Sequence, residues 1–495
     1  MAAEESLDPP DWNAARALGR DMVDEMLTWL ETVRERPVWQ PIPPAAREFL
    51  TEPLPREGQG LERVYEDFRR HVLPHPLGNV HPRFWGWVIG TGSGTGALAE
   101  MLAAAMNPNV GGGDQIANHL ELEVLGWLKE MMGFPPTSSG LLVSGGSMAN
   151  LVGLTVARNA KAEADILEDG LAAAPRPMVL YASRETHNSV RKAVGLLGLG
   201  RRALREIAVD AEFRIDVAAL RRAVAEDRKA GRHPFCVVGN AATVNTGAFD
   251  DLPALADLCR DEGLWFHVDG AFGALPAISP ALRPLVRGMD RADSLAFDLH
   301  KWMYMPFEAG CALVRHSEEH YRSFTVPADY LSHTTRGIAA APVWLSDYGV
   351  QLTRGFRALK VWMLLKEHGV DKYARLLEQN VAQALYLASL VEASPELELL
   401  APVPLNIVCF RYRDPRLDDA ALDRLNEEIL GDLQEEGIAV PSATVLGGRY
   451  ALRVCIVNHR SRREDFDLLV AEVLRRGREK AARAATVHLP AADGP

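Results

Sequence analysis

The sequence predicts an α/β protein: a large domain built on a sheet covered on both faces, followed by a smaller α/β domain. Three observations carry this. Beyond Gly140, short apolar runs alternate with helical stretches: Leu141–Val143, Met178–Tyr181, Phe235–Val238, Leu264–Val268, Ser294–Phe297 and Cys311–Val314. The runs are nearly continuous in apolar residues, which suits strands buried on both faces. The chain has 495 residues, 47% of them hydrophobic, too long for one compact unit and rich enough for a large core.

Taken in order, the first element is a helix. Between Asn13 and Arg34, the residues Leu18, Met22, Met26, Trp29, Leu30 and Val33 recur at three- and four-residue steps, the apolar stripe of an amphipathic helix. Pro37, Pro41, Pro43, Pro44, Pro53 and Pro55 follow and argue against regular helix or central strand. An extended N-terminal arm over 1–85 is the natural reading, with the large domain at 86–380. A long helical stretch begins near Gly355. The pattern then changes to a strand over Ile407–Tyr412, a helix near Ala420–Glu436, a strand over Tyr450–Val457 and a helix after Arg463, read as a small α/β domain over 381–480. The text beyond Arg476, rich in Arg and Ala, has little to pack, and 481–495 reads as a flexible tail. There is no internal repeat or low-complexity block.

Composition excludes several classes. With 54 basic against 66 acidic residues, a net charge of −12, the chain lacks the basic field that neutralises nucleic-acid phosphates. Cys236, Cys259, Cys311, Cys409 and Cys455 are scattered, odd in number and never spaced as Cys-x-x-Cys, so neither a disulfide framework nor a metal site is suggested. Residues 1–11 are acidic and lack the sections of a signal peptide, and no run approaches ~18 apolar residues. A cytoplasmic protein with no membrane partner is expected.

Ligands of such sheets gather beyond the carboxyl ends of the strands, so polar residues just after strands matter most. Asp298, His300 and Lys301 follow one strand, and Lys301 is a candidate Schiff-base nucleophile whose amine a partly desolvated site would bring toward neutrality. Alone it reads as a loop lysine facing solvent. Asp269 ends the most apolar strand, followed by Gly270 and Ala271. A carboxylate there could pair with a protonated pyridine nitrogen, with Ala271 leaving room for a flat ring, or it could simply cap a helix. Gly145, Gly146 and Ser147 run from a strand into a helix, either a phosphate cradle or an ordinary tight turn capped by Ser147. Thr243 follows another strand and could add a contact near the ring. His187 follows the strand at 178–181, where its imidazole could lie over an aromatic cofactor or serve as a backbone-satisfied helix start. Tyr330 sits in a polar stretch of weak periodicity that reads as a loop, and its hydroxyl could return a proton to a substrate α-carbon.

One motif points elsewhere. Gly92-Ser-Gly-Thr-Gly-Ala97 matches the G-x-G-x-x-G/A dinucleotide fingerprint, but no βαβ unit surrounds it and Asn118–Glu123, ~20 residues on, lies in a helical run. A nicotinamide or flavin site is discounted.

Together these segments resemble the group II pyridoxal-phosphate-dependent amino-acid decarboxylases, most of all the aromatic-L-amino-acid decarboxylase branch. The resemblance spans nearly the whole chain. It runs through Gly19–Met26, His81–Trp87, Gly145–Asn150, Thr186–Val190, His267–Ala271, His300–Trp302, Gly355–Lys360 and Leu452–His459. It implies the aspartate-aminotransferase-like fold, with a mainly parallel seven-stranded sheet, and a homodimer whose N-terminal arm wraps the partner subunit. Pyridoxal 5′-phosphate is the implied cofactor. Lys301 would bind it, Asp269 would face its ring nitrogen and His187 would stack on the ring. Gly146, Ser147, Asp298 and His300 match positions near the phosphate. Asp298 departs from the asparagine usual in animal members, and a carboxylate there would repel phosphate. Tyr330 aligns with the tyrosine of the family's mobile catalytic loop; members that produce aldehydes often carry phenylalanine instead, so tyrosine favours decarboxylation to an amine.

The reaction implied is loss of the α-carboxylate of an L-amino acid as carbon dioxide. Phe84, Trp85 and Trp87 match a region lining the substrate pocket and suit an aromatic side chain of the tryptophan, tyrosine or DOPA type, though buried aromatics are also ordinary core. An aldehyde synthase, an aminotransferase, an acidic-amino-acid decarboxylase and a non-catalytic scaffold stay open as alternatives.

Overall fold

The computed structural model describes residues 5–326 and 336–487. The large domain carries seven strands: β1 (Ser139–Val143), β2 (Met178–Ser183), β3 (Leu204–Ile207), β4 (His233–Asn240), β5 (Trp265–Asp269), β6 (Ser294–Asp298) and β7 (Gly310–Val314). They form one sheet in the order β1-β7-β6-β5-β4-β2-β3. The central pairs and the β2–β3 pair are parallel, while β7 runs antiparallel to both of its neighbours. Residues of β2, β5, β6 and β7 are buried throughout, as the unbroken apolar runs require. Strand β3 escaped the sequence reading. It is a short edge strand with Arg205 and Glu206 at its centre, the charged character that protects a sheet edge.

The smaller domain has a second, antiparallel sheet of β8 (Leu397–Leu399), β9 (Ile407–Tyr412), β10 (Ser442–Leu446) and β11 (Arg449–Cys455), ordered β10-β11-β9-β8. The helix Val370–Glu392 joins the two domains. Tyr373, Ala374 and Leu377 pack into the large core and Ala384, Leu387 and Val391 into the small one. Asn380 lies between these halves and accepts from Trp302 Nε1 at 2.9 Å and Tyr304 Oη at 2.8 Å. Position 380 therefore falls inside a continuous helix.

Two expectations are corrected. The proline-rich segment does contain a short helix, Pro44–Phe49, because a proline in the first helical position lacks only an N–H that would go unpaired anyway. The described part of the chain just beyond Arg476 does pack, while 488–495 lie outside the described residues. The helix Arg463–Val487 continues past Arg476, which pairs with Glu436 at 2.8 Å, and Ala481 is 1% exposed. The helix Trp12–Glu31 forms as read, capped by Asp11, whose carboxylate accepts from the Asn13 and Ala14 amides. None of its residues is buried within this chain. No helix among the described residues is long and apolar enough to cross a membrane.

Candidate active site

The carboxyl ends of β4, β5 and β6 lie side by side: Asn240 pairs with Asp269, and Asp269 with Ala296. A cavity of about 360 Å³ opens there. Trp87, His187, Asn240, Asp269, Ala271 and Lys301 line it from the large-domain side, and Ser442, Ala443 and Arg453 from the small sheet. A larger cavity, about 620 Å³ around Met131, Arg283 and Met289, takes in no end of a parallel strand. The smaller cavity is the one with convergent chemistry.

Lys301 stands in a single helical turn, Leu299–Trp302, directly after β6. Its Nζ lies 2.9 Å from Asp298 Oδ2, with the lysine side chain 20% exposed and the aspartate 1%. Burial pulls the ammonium down, but the carboxylates of Asp298 and Asp269 outweigh it and hold Lys301 above the ordinary lysine value. The drift toward neutrality that burial alone predicts is thus reversed, because the strand end that presents the lysine also presents its counter-ion. Asp298 Oδ1 is buried without a hydrogen-bond partner.

Asp298 also abuts the glycine turn. A Cβ on Gly146 would lie 2.9 Å from Asp298 Oδ2, and one on Gly310 would lie 2.5 Å from Gly145 Cα and 2.7 Å from Asp298 Oδ1. Glycine at these positions lets β6, β7 and the start of the helix Gly146–Lys161 meet. Ser147 is exposed in the first turn of that helix. His300 is buried against the same turn, its Nδ1 accepting from the Ala309 amide at 3.1 Å and its Nε2 3.8 Å from Asp298 Oδ2. Burial lowers the His300 imidazole below its ordinary value, with Asp298 opposing.

Asp269 is 5% exposed. Its Oδ1 accepts from the Ala271 amide at 3.1 Å and its Oδ2 from Asn150 Nδ2 at 2.9 Å. His187 is the N-cap of the helix Asn188–Leu196: Nδ1 accepts from the Ser189 amide at 3.2 Å while the ring faces the cavity. The backbone-satisfied helix start is therefore compatible with a ring on the cavity wall. Its imidazole is lowered by burial, with Asp269 opposing. An amine, a carboxylate, a flat-walled space at Ala271 and an imidazole on one cavity, beside a glycine turn opening a long helix, match the donor set that pyridoxal 5′-phosphate needs.

Several predicted residues lie elsewhere. Thr243 is buried and does not line the cavity. Its hydroxyl meets Thr246 Oγ1 at 3.1 Å and accepts from the Ala248 amide at 3.2 Å, closing the turn that presents Ala242 and Val244. Trp85 belongs to the small-domain core, stacked on Phe466 with Nε1 donating to Ser461 Oγ at 3.0 Å. Phe84 is buried with Val38 and Val440. Of the three aromatics only Trp87 reaches the cavity, at 55% exposure and a left-handed φ of 52°. Tyr330 lies outside the described residues. In the decoy motif Gly96 makes room for Pro306, from which an added Cβ would be 2.4 Å.

The residues missed were Asn150, Asn240, Asn245 and Arg453. Arg453 is 3% exposed and donates from β11 to the carbonyls of Trp87 (2.9 Å), Asn245 (3.1 Å) and Val244, and to Ser442 Oγ (3.2 Å). Nothing in a strand of a second domain signals that its arginine holds the rim of a cavity in the first.

Residues 43–413 match the model of the pyridoxal-dependent decarboxylase conserved domain. The chain is 34% identical over 455 residues to an aromatic-L-amino-acid decarboxylase of Bacillus atrophaeus, covering 91% of this chain and 93% of that one. It is 32% identical over 472 residues to a histidine decarboxylase of Drosophila melanogaster, covering 92% of this chain and 54% of that one. The crystal structure of Oryza sativa TDC with PLP and tryptamine superposes with a TM-score of 0.88 at 26% identity, covering 96% of this chain and 99% of that one. With the strand-end lysine, aspartate and imidazole on one cavity, the chain belongs to the pyridoxal-dependent decarboxylase family and is a PLP-dependent amino-acid decarboxylase.

Proposed function

We propose that the cavity decarboxylates an L-amino acid with an aromatic side chain, releasing the amine and carbon dioxide. The observation that carries this is the convergence of Lys301, Asp269, His187 and Trp87 on one cavity. When bound, pyridoxal 5′-phosphate supplies an aldehyde for amines and a ring that takes up the electron pair left by the departing carboxylate. Lys301 Nζ is the amine that holds the cofactor and yields it to substrate. Asp298, 2.9 Å away, keeps the displaced Lys301 charged and in place. Asp269, an acceptor on both oxygens, would face the ring nitrogen and favour its protonated form. His187, fixed by its N-cap bond, would cover one ring face, and the helix start at Gly146 and the exposed Ser147 would hold the phosphate. His300 braces that turn. Tyr330 returns the proton to the α-carbon, a role supported by the sequence resemblance.

The aromatic class is supported by Trp87, Val88 and Phe272 on the cavity wall. Among the described lining residues the lysine and arginine side chains are Lys301, which the cofactor takes up, and Arg453, which spends its donors on Trp87, Val244, Asn245 and Ser442, leaving little for an acidic side chain. A homodimer is supported by the helix Trp12–Glu31, whose apolar stripe is only partly covered in its own chain and which exposes Trp12 and Leu27. A reducing, cytoplasmic setting is supported by five buried free cysteines.

The test is carbon dioxide release across a panel of aromatic, imidazole and acidic amino acids, with Lys301→Ala as control. Aromatic substrates should lead, and the variant should lose both turnover and the borohydride-fixed chromophore. Preference for glutamate or cysteine sulfinate would overturn the aromatic reading, and a chromophore retained in the variant would overturn the role of Lys301.

A further inference from the structure

Behind Asp269 runs a chain of buried polar groups that the reaction as derived does not use. Trp265 Nε1 donates to Ser294 Oγ at 2.8 Å, and Ser294 Oγ lies 2.8 Å from His267 Nδ1. His267 Nε2 lies 2.8 Å from Asn150 Oδ1, and Asn150 Nδ2 donates to Asp269 Oδ2 at 2.9 Å. His267, Asn150 and Ser294 are each 0% exposed.

The polarity of this chain can be worked out. An indole N–H only donates, so Ser294 Oγ accepts from Trp265 and its own proton has His267 Nδ1 as acceptor. Were Nδ1 protonated instead, the buried Ser294 hydroxyl proton would lose that acceptor, a costly arrangement. Nε2 then carries the ring proton and gives it to the Asn150 carbonyl, which turns the Asn150 amide nitrogen toward Asp269. Burial lowers the His267 imidazole to about 3, consistent with a neutral ring. Every donor points the same way, and Asp269 at the end receives only.

The same amide nitrogen donates to Ser189 Oγ at 3.0 Å, and Ser189 Oγ lies 2.9 Å from His187 Nδ1. One side chain thus touches the partner of the ring nitrogen directly and the ring-facing imidazole through one hydroxyl. The close approach is built in. A Cβ on Gly153, one turn further along the same helix, would fall 2.7 Å from His267 Cε1 and 2.8 Å from Nδ1.

We propose that Asn150 is a positioning residue: through it the Trp265–Ser294–His267 relay keeps the Asp269 side chain aimed at the cofactor's ring nitrogen. This rests on the reading of Asp269 given above. The test titrates cofactor-free protein with pyridoxal 5′-phosphate and with its 1-deaza analogue, which differs only in having carbon for the ring nitrogen, and reads the ratio of the two dissociation constants. Wild-type protein prefers the natural cofactor; equal affinities would remove the Asp269 reading itself. Asn150→Ala should shrink the preference by about tenfold or more, the scale of one charge-assisted hydrogen bond, while the deaza analogue binds nearly as before. Ser294→Ala, which breaks the relay far from the cavity with little change in volume, should shrink it in the same direction and decides the matter if Asn150→Ala fails to fold. A wild-type preference retained in either folded variant overturns the proposal.

Discussion

Replacing Arg453 by methionine keeps much of the side-chain volume and removes every donor. Four acceptors lose a partner: the carbonyls of Trp87, Val244 and Asn245, and Ser442 Oγ. Two retain another bond, since Cys409 Sγ still meets the Asn245 carbonyl at 3.4 Å and Ser442 Oγ can donate to the carbonyl of residue 453 at 3.3 Å. The carbonyls of Trp87 and Val244 are left without that partner at a part-buried rim, each costing up to about 1–3 kcal/mol. Part of this is offset because a guanidinium no longer has to be desolvated. The net penalty, about 3 kcal/mol, falls on the contact between β11 and the cavity rim rather than on the whole fold. It corresponds to roughly 100-fold in a local opening equilibrium. Amide hydrogen exchange over 242–248 should therefore accelerate by about that factor, with exchange in β5 and β6 unchanged, and the KM for amino-acid substrate should rise more than kcat falls. Exchange within about threefold of wild type over 242–248 would refute the reasoning, since that is under 1 kcal/mol.

Asp298→Asn removes the counter-ion of Lys301, so the rate of pyridoxal 5′-phosphate uptake, followed by absorbance across pH, should rise to its plateau at lower pH than in wild type; an unmoved profile would refute the pairing. The sign for stability follows. Lys301 sits above its ordinary 10.5 in the folded chain, so its contribution is complete below that pH and is lost as pH rises through the folded value. The stability gap between cofactor-free wild type and Asp298→Asn should be constant near neutrality and close in strong alkali. His320, buried between Ser139 Oγ and the Tyr348 carbonyl at 2.8 Å each, is lowered by burial to about 4 from 6.5. Between those values the unfolded chain holds the extra proton, so acidification favours unfolding, by up to about 1.4 kcal/mol per pH unit for this one group. His320→Gln should flatten the slope of stability against pH in that window, measured by urea titration, and a slope equal to wild type would refute the assignment.

What could be read without coordinates was whatever is local along the chain. Strands buried on both faces need unbroken apolar runs, and the polar residue that ends each run is adjacent to it in sequence, so Asp269, Asp298 and Lys301 were legible together with β5 and β6. His187 and the Gly145–Ser147 turn were legible for the same reason, each following a strand and opening a helix. Residues whose contribution depends on distant partners were not. Trp85 and Trp87 are two positions apart, yet one fills the small-domain core and the other the cavity, because the chain turns through a left-handed conformation at Trp87. Arg453 reaches the rim across 366 positions of sequence and Asn150 meets Asp269 across 119. The electrostatics of Lys301 also depend on tertiary contact, since burial alone argues for a neutral amine and the folded geometry, with a carboxylate 2.9 Å away, pulls the other way. The chain's apolar period and its strand-end residues determined the fold class and the chemistry available. Which side chains share a cavity, and in what protonation state, was decided by tertiary packing, because burial and charge act through distances that sequence spacing does not encode.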